Sequence, residues 1–311
     1  MKINRINIIL AFAISLFFAS CEKEIKFKGD VTASRLVLNS IVTAGEPLTA
    51  TLDKSVFFMY DTAGASYGCP ENAQMSLYVN GNFVETLSAN GDMFSGSYTP
   101  SVGDTIRLTA TAPDFDDVEA TTMAIPDAPS FTYNTVLEHF GTSSYIIDDT
   151  VYYCIAAKGQ IIIDLYDTNP NGRDCYYISI IESDFYDIQK FTFNDPIFEN
   201  INEPVLDEIY STSRPFFSDK IFDGSQYQLK IPFVISSINN TEYTSEAEFE
   251  IVLEHIDMNL YEYYNTLYVA NSDDYGPLSE PAHIHSNVNG GYGIVAGQNC
   301  DTIIIKVSQE R

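Results

Sequence analysis

The stretch Met75-Ser76-Leu77-Tyr78-Val79-Asn80-Gly81-Asn82-Phe83-Val84 decides the fold class. Met75, Leu77 and Val79 sit two apart, the period of a strand that buries one face. Asn80-Gly81 then supplies two residues that tolerate positive φ, as a tight hairpin turn demands, and Phe83-Val84 begin a return strand. A lone hairpin is marginal in water, so this one needs further strands to cover its apolar face.

Working outward, the same period recurs across residues 35–125. Leu48, Ala50 and Leu52 fall on one face, with Thr49 and Thr51 on the other. Pro100 and Gly103 bracket a turn, Ile106, Leu108, Ala110 and Ala112 line one face of the next strand, and a last strand runs over 118–125. Roughly seven strands in about 90 residues, with turn signals every ten or so, predict an immunoglobulin-like or prealbumin-like β-sandwich over 35–127. Ile125-Pro126-Asp127-Ala128-Pro129 ends the pattern, because two prolines remove backbone donors and fix an extended path.

Residues 128–311 read as a second β-rich domain with one short helix. Strand patterns occur at 151–156, 160–166, 175–181, 226–235, 247–253 and 302–307, and the stretch 167–173, rich in Asn, Pro and Gly, is a turn. The helix is expected near 257–270: Asp257 can cap its start, and Leu260, Tyr264, Leu267 and Tyr268 recur at helical spacing as a core stripe. The chain as a whole is therefore expected to be mainly β.

Residues 1–20 carry Lys2 and Arg5, an apolar run over 8–18 and the small pair Ala19-Ser20, the layout of a secretory signal peptide. The run is too short to cross about 30 Å of hydrocarbon, which takes roughly 20 apolar residues. Phe18-Ala19-Ser20-Cys21 resembles the lipobox of bacterial lipoproteins, with Phe18 where Leu is more usual. The resemblance implies that Cys21 becomes a fatty-acylated (palmitate-type) first residue, followed by a tether over 21–34. Glu22-Lys23-Glu24 resembles the signal that sends Bacteroidota lipoproteins to the outer face of the outer membrane. The expected location is thus the outer membrane, lipid-anchored, at the cell surface.

The chain carries 43 acidic and 16 basic residues, a net charge of −27; without Lys2 and Arg5, 14 basic residues remain against the same 43, or −29. Such a chain repels phosphate backbones and anionic headgroups, so no nucleic-acid partner is expected and acyl chains are the membrane contact. An apolar fraction of 45% excludes a disordered tether. The 21 Tyr and 20 Phe suit strand packing, and the lack of Trp argues against an aromatic sugar-binding platform.

Candidate chemistry is sparse. Besides Cys21 there are Cys69, Cys154, Cys175 and Cys300, which allow three pairings that sequence does not choose between; Cys154 and Cys175 flank a plausible hairpin and are the first expected disulfide. His283 and His285 are the metal candidates: two apart on a strand they share a face, with His255 or Glu254 as a third ligand. Their better reading is structural, so no metal and no cofactor are expected. Gly290-Gly291-Tyr292-Gly293 lacks the helix and Lys of a phosphate loop and reads as a turn or a close backbone approach. Asp114-Phe115-Asp116-Asp117 and Asp273-Asp274 lack the alternation of a calcium loop and read as solvated. Asp-Thr followed by a small or apolar residue, at Asp61, Asp104, Asp149 and Asp301, resembles the O-glycosylation acceptor pattern of Bacteroidota. No nucleophile elbow, HExxH helix or catalytic Cys-His context occurs, so the chain is not expected to be an enzyme.

Several phrases together resemble a Bacteroidota lipoprotein family known as domain of unknown function four-two-four-nine. They are Cys21-Glu22-Lys23-Glu24-Ile25, Leu36-Val37-Leu38-Asn39-Ser40, Phe217-Ser218-Asp219-Lys220 with Phe222-Asp223-Gly224, the 261–267 stretch, Leu278-Ser279-Glu280-Pro281, and the run from Ser286 to Ile294. The resemblance implies an outer-membrane lipoprotein often found beside TonB-dependent transporters, and brings no catalytic residues. The expected function is non-catalytic ligand capture or assistance to such a transporter, with the ligand unknown. The alternative is a fimbrial or adhesive structural subunit.

Overall fold

Asn80 (φ 50°) and Gly81 (φ 82°) make the expected turn, joining β3 (Gln74–Val79) to β4 (Asn82–Thr86). The turn is pinned from outside, because the Asn80 amide donates to Asp104 Oδ1 at 2.8 Å and its carbonyl accepts the Thr105 N–H at 2.9 Å. The computed structural model describes residues 33–56, 68–147, 149–167, 169–170, 172–181, 188–198, 215–239, 246–271 and 283–308. Among the described residues strand dominates, with a single α-helix, so the chain is mainly β as its periodicity predicts.

The first half supplies β1 (Leu36–Thr43), β2 (Thr49–Lys54), β5 (Ser88–Asn90), β6 (Met93–Ser95), β7 (Ile106–Thr111) and β8 (Val118–Thr121) besides the hairpin. A four-stranded sheet in the order β4-β3-β7-β8 forms one layer. Facing it are β1, β2, β6 and β5, neighbours at one end of an eight-stranded sheet. Every second residue of β1, β3 and β7 is buried, so Leu38, Leu52, Leu77, Phe94 and Leu108 meet in one core. Burying such side chains is worth about 1.5–3 kcal/mol each, which is why the alternation alone foretells this sandwich.

The second half contributes β9 (Phe131–Ile147), β10 (Thr150–Tyr166), β11 (Cys175–Ile181), β12 (Ile188–Phe191), β13 (Phe216–Ser218), β14 (Gln226–Asn239), β15 (Glu246–Ile256), α1 (Met258–Asn271) and β16 (Tyr292–Ser308). The strands expected at 151–156 and 160–166 are one, β10. The register against β9 shifts at Lys158/Gly159 without turning the chain, and the burial alternation runs straight through. Sheet β12-β14-β10-β9 covers the β13-β11-β15-β16 end of the eight-stranded sheet, around Ile161, Ile231, Phe233, Ile251 and Ile303.

β16 belongs to both halves. Its first residues pair in parallel with β1, from Val37↔Tyr292 to Thr43↔Gln298. Its later residues pair antiparallel with β15, from Ile256↔Gln298 to Glu246↔Ser308. Val288 and Val295 sit in the core of the N-terminal sandwich, whereas Ile303, Ile305 and Val307 sit in the other. The module expected over 35–127 thus takes another strand from 292–298, so the Pro126–Pro129 break marks where the chain leaves it, not its full content. Locally apolar residues cannot announce which of two cores they will enter.

Gly291 and Gly293 make the parallel pairing possible. A Cβ on Gly293 (φ 115°) would be driven into the Leu38 carbonyl oxygen, and one on Gly291 into that of Leu36. The Gly-rich run is a close backbone approach, in keeping with its expected reading.

Asp257 ties this junction to α1. Its Oδ1 accepts the Leu260 N–H at 3.0 Å, the N-cap bond expected from sequence. Its Oδ2 accepts the Gly297 N–H of β16 at 2.8 Å and the Met123 N–H that follows β8 at 3.2 Å. Leu260 packs beneath with Cys175, Ile256, Ile294 and Ala296.

Burial holds the Asp257 carboxyl above its ordinary range, against those N–H bonds; burial does the same to Glu254, against the Ser179 hydroxyl bond. A carboxyl raised on folding contributes stability that is present below its unfolded value, about 4, and is lost as pH climbs through the folded value. Asp104 is lowered by the Tyr98 hydroxyl bond, with burial opposing, so its contribution is present above about pH 4 and lost below. The urea midpoint is therefore expected to rise from pH 8 to about pH 5 and to decline below about pH 4. A steady fall from pH 8 to 5 would contradict this assignment of the buried acids.

Candidate functional site

The residues singled out by sequence do not converge. Cys21, the Glu22-Lys23-Glu24 run, Asp61, Asp273-Asp274 and Leu278-Ser279-Glu280-Pro281 lie outside the described residues. Cys154 and Cys175 do not form the expected disulfide: both are free thiols, as are Cys69 and Cys300. The reason is the length of β10. From Cys154 the strand continues to Tyr166 before the chain turns, about 40 Å of extended backbone at 3.3 Å per residue. A disulfide tolerates about 7 Å between Cα atoms, so Cys154, far back along β10, cannot reach Cys175, which opens β11 beyond the other end of that strand. Cys175 is fully buried at the start of β11, opposite Ser218 and Ile256, and burial pushes its thiol up, the environment of a packed rather than a reactive cysteine.

His283 and His285 enter no group of three metal-ligating side chains among the described residues. The His285 N–H is held by Thr266 Oγ1 at 2.8 Å. Their expected third ligands are engaged elsewhere, Glu254 with the Ser179 hydroxyl at 3.0 Å and His255 at the cluster described next. Asp104 anchors turns, accepting from Asn80, Tyr98 OH at 2.7 Å and the Ser101 N–H at 2.9 Å.

One side-chain cluster does combine geometry with chemistry, at the end of the C-terminal sandwich. Asp167 follows β10, Asp174 precedes β11, and Asp219 opens a 3-10 turn (Asp219–Ile221) directly after β13. Each offers one carboxylate oxygen, and the three oxygens lie within 4.8 Å of one another. The segment between β10 and β11 is shaped by local bonds: Asp167 Oδ1 accepts the Asn169 N–H at 2.7 Å, and the Gly172 N–H donates to the Asn169 carbonyl at 2.9 Å. Asp167 Oδ2 also accepts the Gly224 N–H, which ties this segment to the turn leading into β14. The Asp219 N–H donates to the Asp174 carbonyl at 2.9 Å, and the Asp219 carboxylate accepts the Asp174 N–H in return.

His255 of β15 stands beside the cluster. Its Nε2 is 3.5 Å from Asp174 Oδ1, its Nδ1 is 2.9 Å from the Asp127 carbonyl, and its ring stacks on Tyr176 at 5.0 Å. A carbonyl oxygen only accepts, so Nδ1 is the donor in this contact. Asn169 Nδ2 approaches the same Asp174 oxygen at 3.4 Å.

The three acids are not equivalent. Burial works to raise the Asp174 carboxyl, but the hydrogen bond and charge of His255, with Asn169 and Asp167, hold it below the usual carboxylate range. Burial raises the Asp219 carboxyl, and the charges of Asp174, Asp167 and Asp223 push it the same way. Asp219 is only 1% exposed, and its Oδ2 has no hydrogen-bond partner among the described residues. A buried carboxylate oxygen left unpaired costs about 1–3 kcal/mol or more, so this atom calls for a physical account.

The cluster is invisible to spacing rules, since its members come from two separate connections, β10–β11 and β13–β14. The available signals were the turn composition around Asp167 and the family-like phrase Phe217-Ser218-Asp219-Lys220; neither brings the two together.

Compared with known proteins, residues 22–304 match a family model described as a domain of unknown function (DUF4249). No curated protein matches the chain.

Proposed function

Since the chain belongs to the DUF4249 family, we propose that it is a non-catalytic outer-membrane lipoprotein, anchored through Cys21, that captures a ligand or assists a TonB-dependent transporter. The observation that carries this reading is where the family region starts. The match begins at Glu22, directly behind Cys21, and leaves out the leader-like residues 1–20, which supports a mature chain that starts at that cysteine. No described helix is long and apolar enough to cross a membrane, and in this reading the acyl groups on Cys21 supply the attachment. Two β-sandwich cores joined by β16 offer contact surfaces on a rigid frame, which suits binding.

The test is Cys21→Ala expressed in the native host. Wild-type protein is expected to incorporate labelled palmitate and sediment with outer membranes, and the variant to do neither. An unlabelled wild-type protein would overturn the anchor. Mild detergent extraction of the wild type is expected to bring an outer-membrane β-barrel with it; purification without a partner would overturn the accessory role. Mature material lacking β1 would point instead to strand exchange in a fimbrial assembly.

A further inference from the structure

We propose that Asp167, Asp174 and Asp219 form a binding site for a hard divalent cation, Ca²⁺. The inference is independent of the lipid anchor and assigns to the fold a ligand that its sequence motifs do not announce.

Two observations point the same way. The first is geometric: oxygens bound to one Ca²⁺ at 2.3–2.6 Å lie no more than about 5 Å apart, and these three oxygens lie within 4.8 Å of one another. The second is the buried Asp219 Oδ2, which has no hydrogen-bond partner among the described residues and belongs to a side chain grouped with two further carboxylates. A protein that places three acids together gains nothing from their mutual repulsion, and a cation both pairs the orphan oxygen and neutralises the group.

The donor set selects the ion class. All three ligands are carboxylates, with no thiolate and no free imidazole, which suits Ca²⁺ or Mg²⁺ rather than Zn²⁺. Separations of up to 4.8 Å are open to either ion; Ca²⁺ is favoured because it takes protein carboxylates in irregular geometry, whereas Mg²⁺ demands near-ideal octahedral geometry and keeps several waters. His255 holds Asp174 by Oδ1, orienting that carboxylate as an outer partner does at many metal sites.

Occupancy would act on both layers of the C-terminal sandwich. Asp167 leaves β10 and bonds Gly224 ahead of β14, both in the four-stranded sheet, whereas Asp174 and Asp219 flank β11 and β13 of the eight-stranded one. A bound ion thus pins the two sheets at one end.

The experiment uses the full-length protein in detergent, stripped with chelator, and follows thermal unfolding and calorimetric titration with Ca²⁺ or Mg²⁺. Wild type is expected to bind one Ca²⁺ and to gain about 4 °C or more in Tm at 2 mM Ca²⁺, reversed by chelator, for a Kd on the order of 10⁻⁴ M. Asp219→Asn keeps the shape and removes the buried charge, so it should fold without loss of stability and lose the Ca²⁺ response, binding at least about tenfold more weakly. Asp116→Asn, in the exposed acidic run, should keep the full response. No response of the wild type, or an equal response in Asp219→Asn, would overturn the site; an equal response to Mg²⁺ would overturn the choice of Ca²⁺.

Discussion

Gly293→Ala is expected to lower the unfolding free energy by at least about 3 kcal/mol, a large part of the 5–15 kcal/mol typical of a folded domain. Two penalties combine. At φ 115° an L-residue is strained whatever the space around it, and here the added methyl is directed at the Leu38 carbonyl oxygen and Asn39 Oδ1. The Leu38 carbonyl lies on a backbone whose Leu36, Leu38 and Val42 side chains are locked in the N-terminal core, so β1 cannot retreat. The parallel β1–β16 ladder must open instead, and with it the strand that both sandwiches share. Gly45→Ala separates the two penalties: Gly45 has φ 80° but nothing within 4 Å of a Cβ, so it reports the backbone strain alone, about 1 kcal/mol. Urea denaturation of both variants provides the comparison. If Gly293→Ala is no worse than Gly45→Ala, the close approach does not hold β16 in place.

Asp257→Ala is expected to cost about 3–5 kcal/mol, well beyond the roughly 1 kcal/mol of an ordinary N-cap. The difference lies in what else the carboxylate holds. Removing it leaves the N–H groups of Leu260, Gly297 and Met123 without their acceptor at a site where Asp257 itself is only 6% exposed. Each unmet buried donor costs about 1–3 kcal/mol. Asp257→Asn should fall between: its carbonyl oxygen can still cap Leu260, but its NH₂ then faces the Gly297 and Met123 donors. The readout is again the urea midpoint, with far-UV circular dichroism to follow helix content. A loss near 1 kcal/mol for Asp257→Ala would reduce this residue to a helix cap and remove it from the junction.

Much of the scaffold was legible in the chain because the physics that sets it is local. The period of Met75, Leu77 and Val79, the turn at Asn80-Gly81 and the cap at Asp257 each depend on residues within a few positions of one another. Where local and distant causes compete, the chain was silent or misleading. Cys154 and Cys175 looked like partners across a hairpin, but continuous pairing of β10 with β9 and β14 carries the strand past Lys158 and separates them. His283 and His285 have the spacing of a ligand pair, yet Glu254 and His255 are occupied by Ser179 and Asp174. Asp167, Asp174 and Asp219 carry no motif, since no spacing rule links the ends of three different strands.

By itself the sequence determined a mainly β chain with two apolar cores, a break near Pro126 and one capped helix. Only the tertiary structure decided that β16 serves both cores, that the glycines at 291 and 293 face the backbone of β1, and that three acids meet beside His255. Alternation says which face of a strand is buried but not against what; the partner is chosen when sheets close, at a loop-entropy cost that grows only slowly with chain separation.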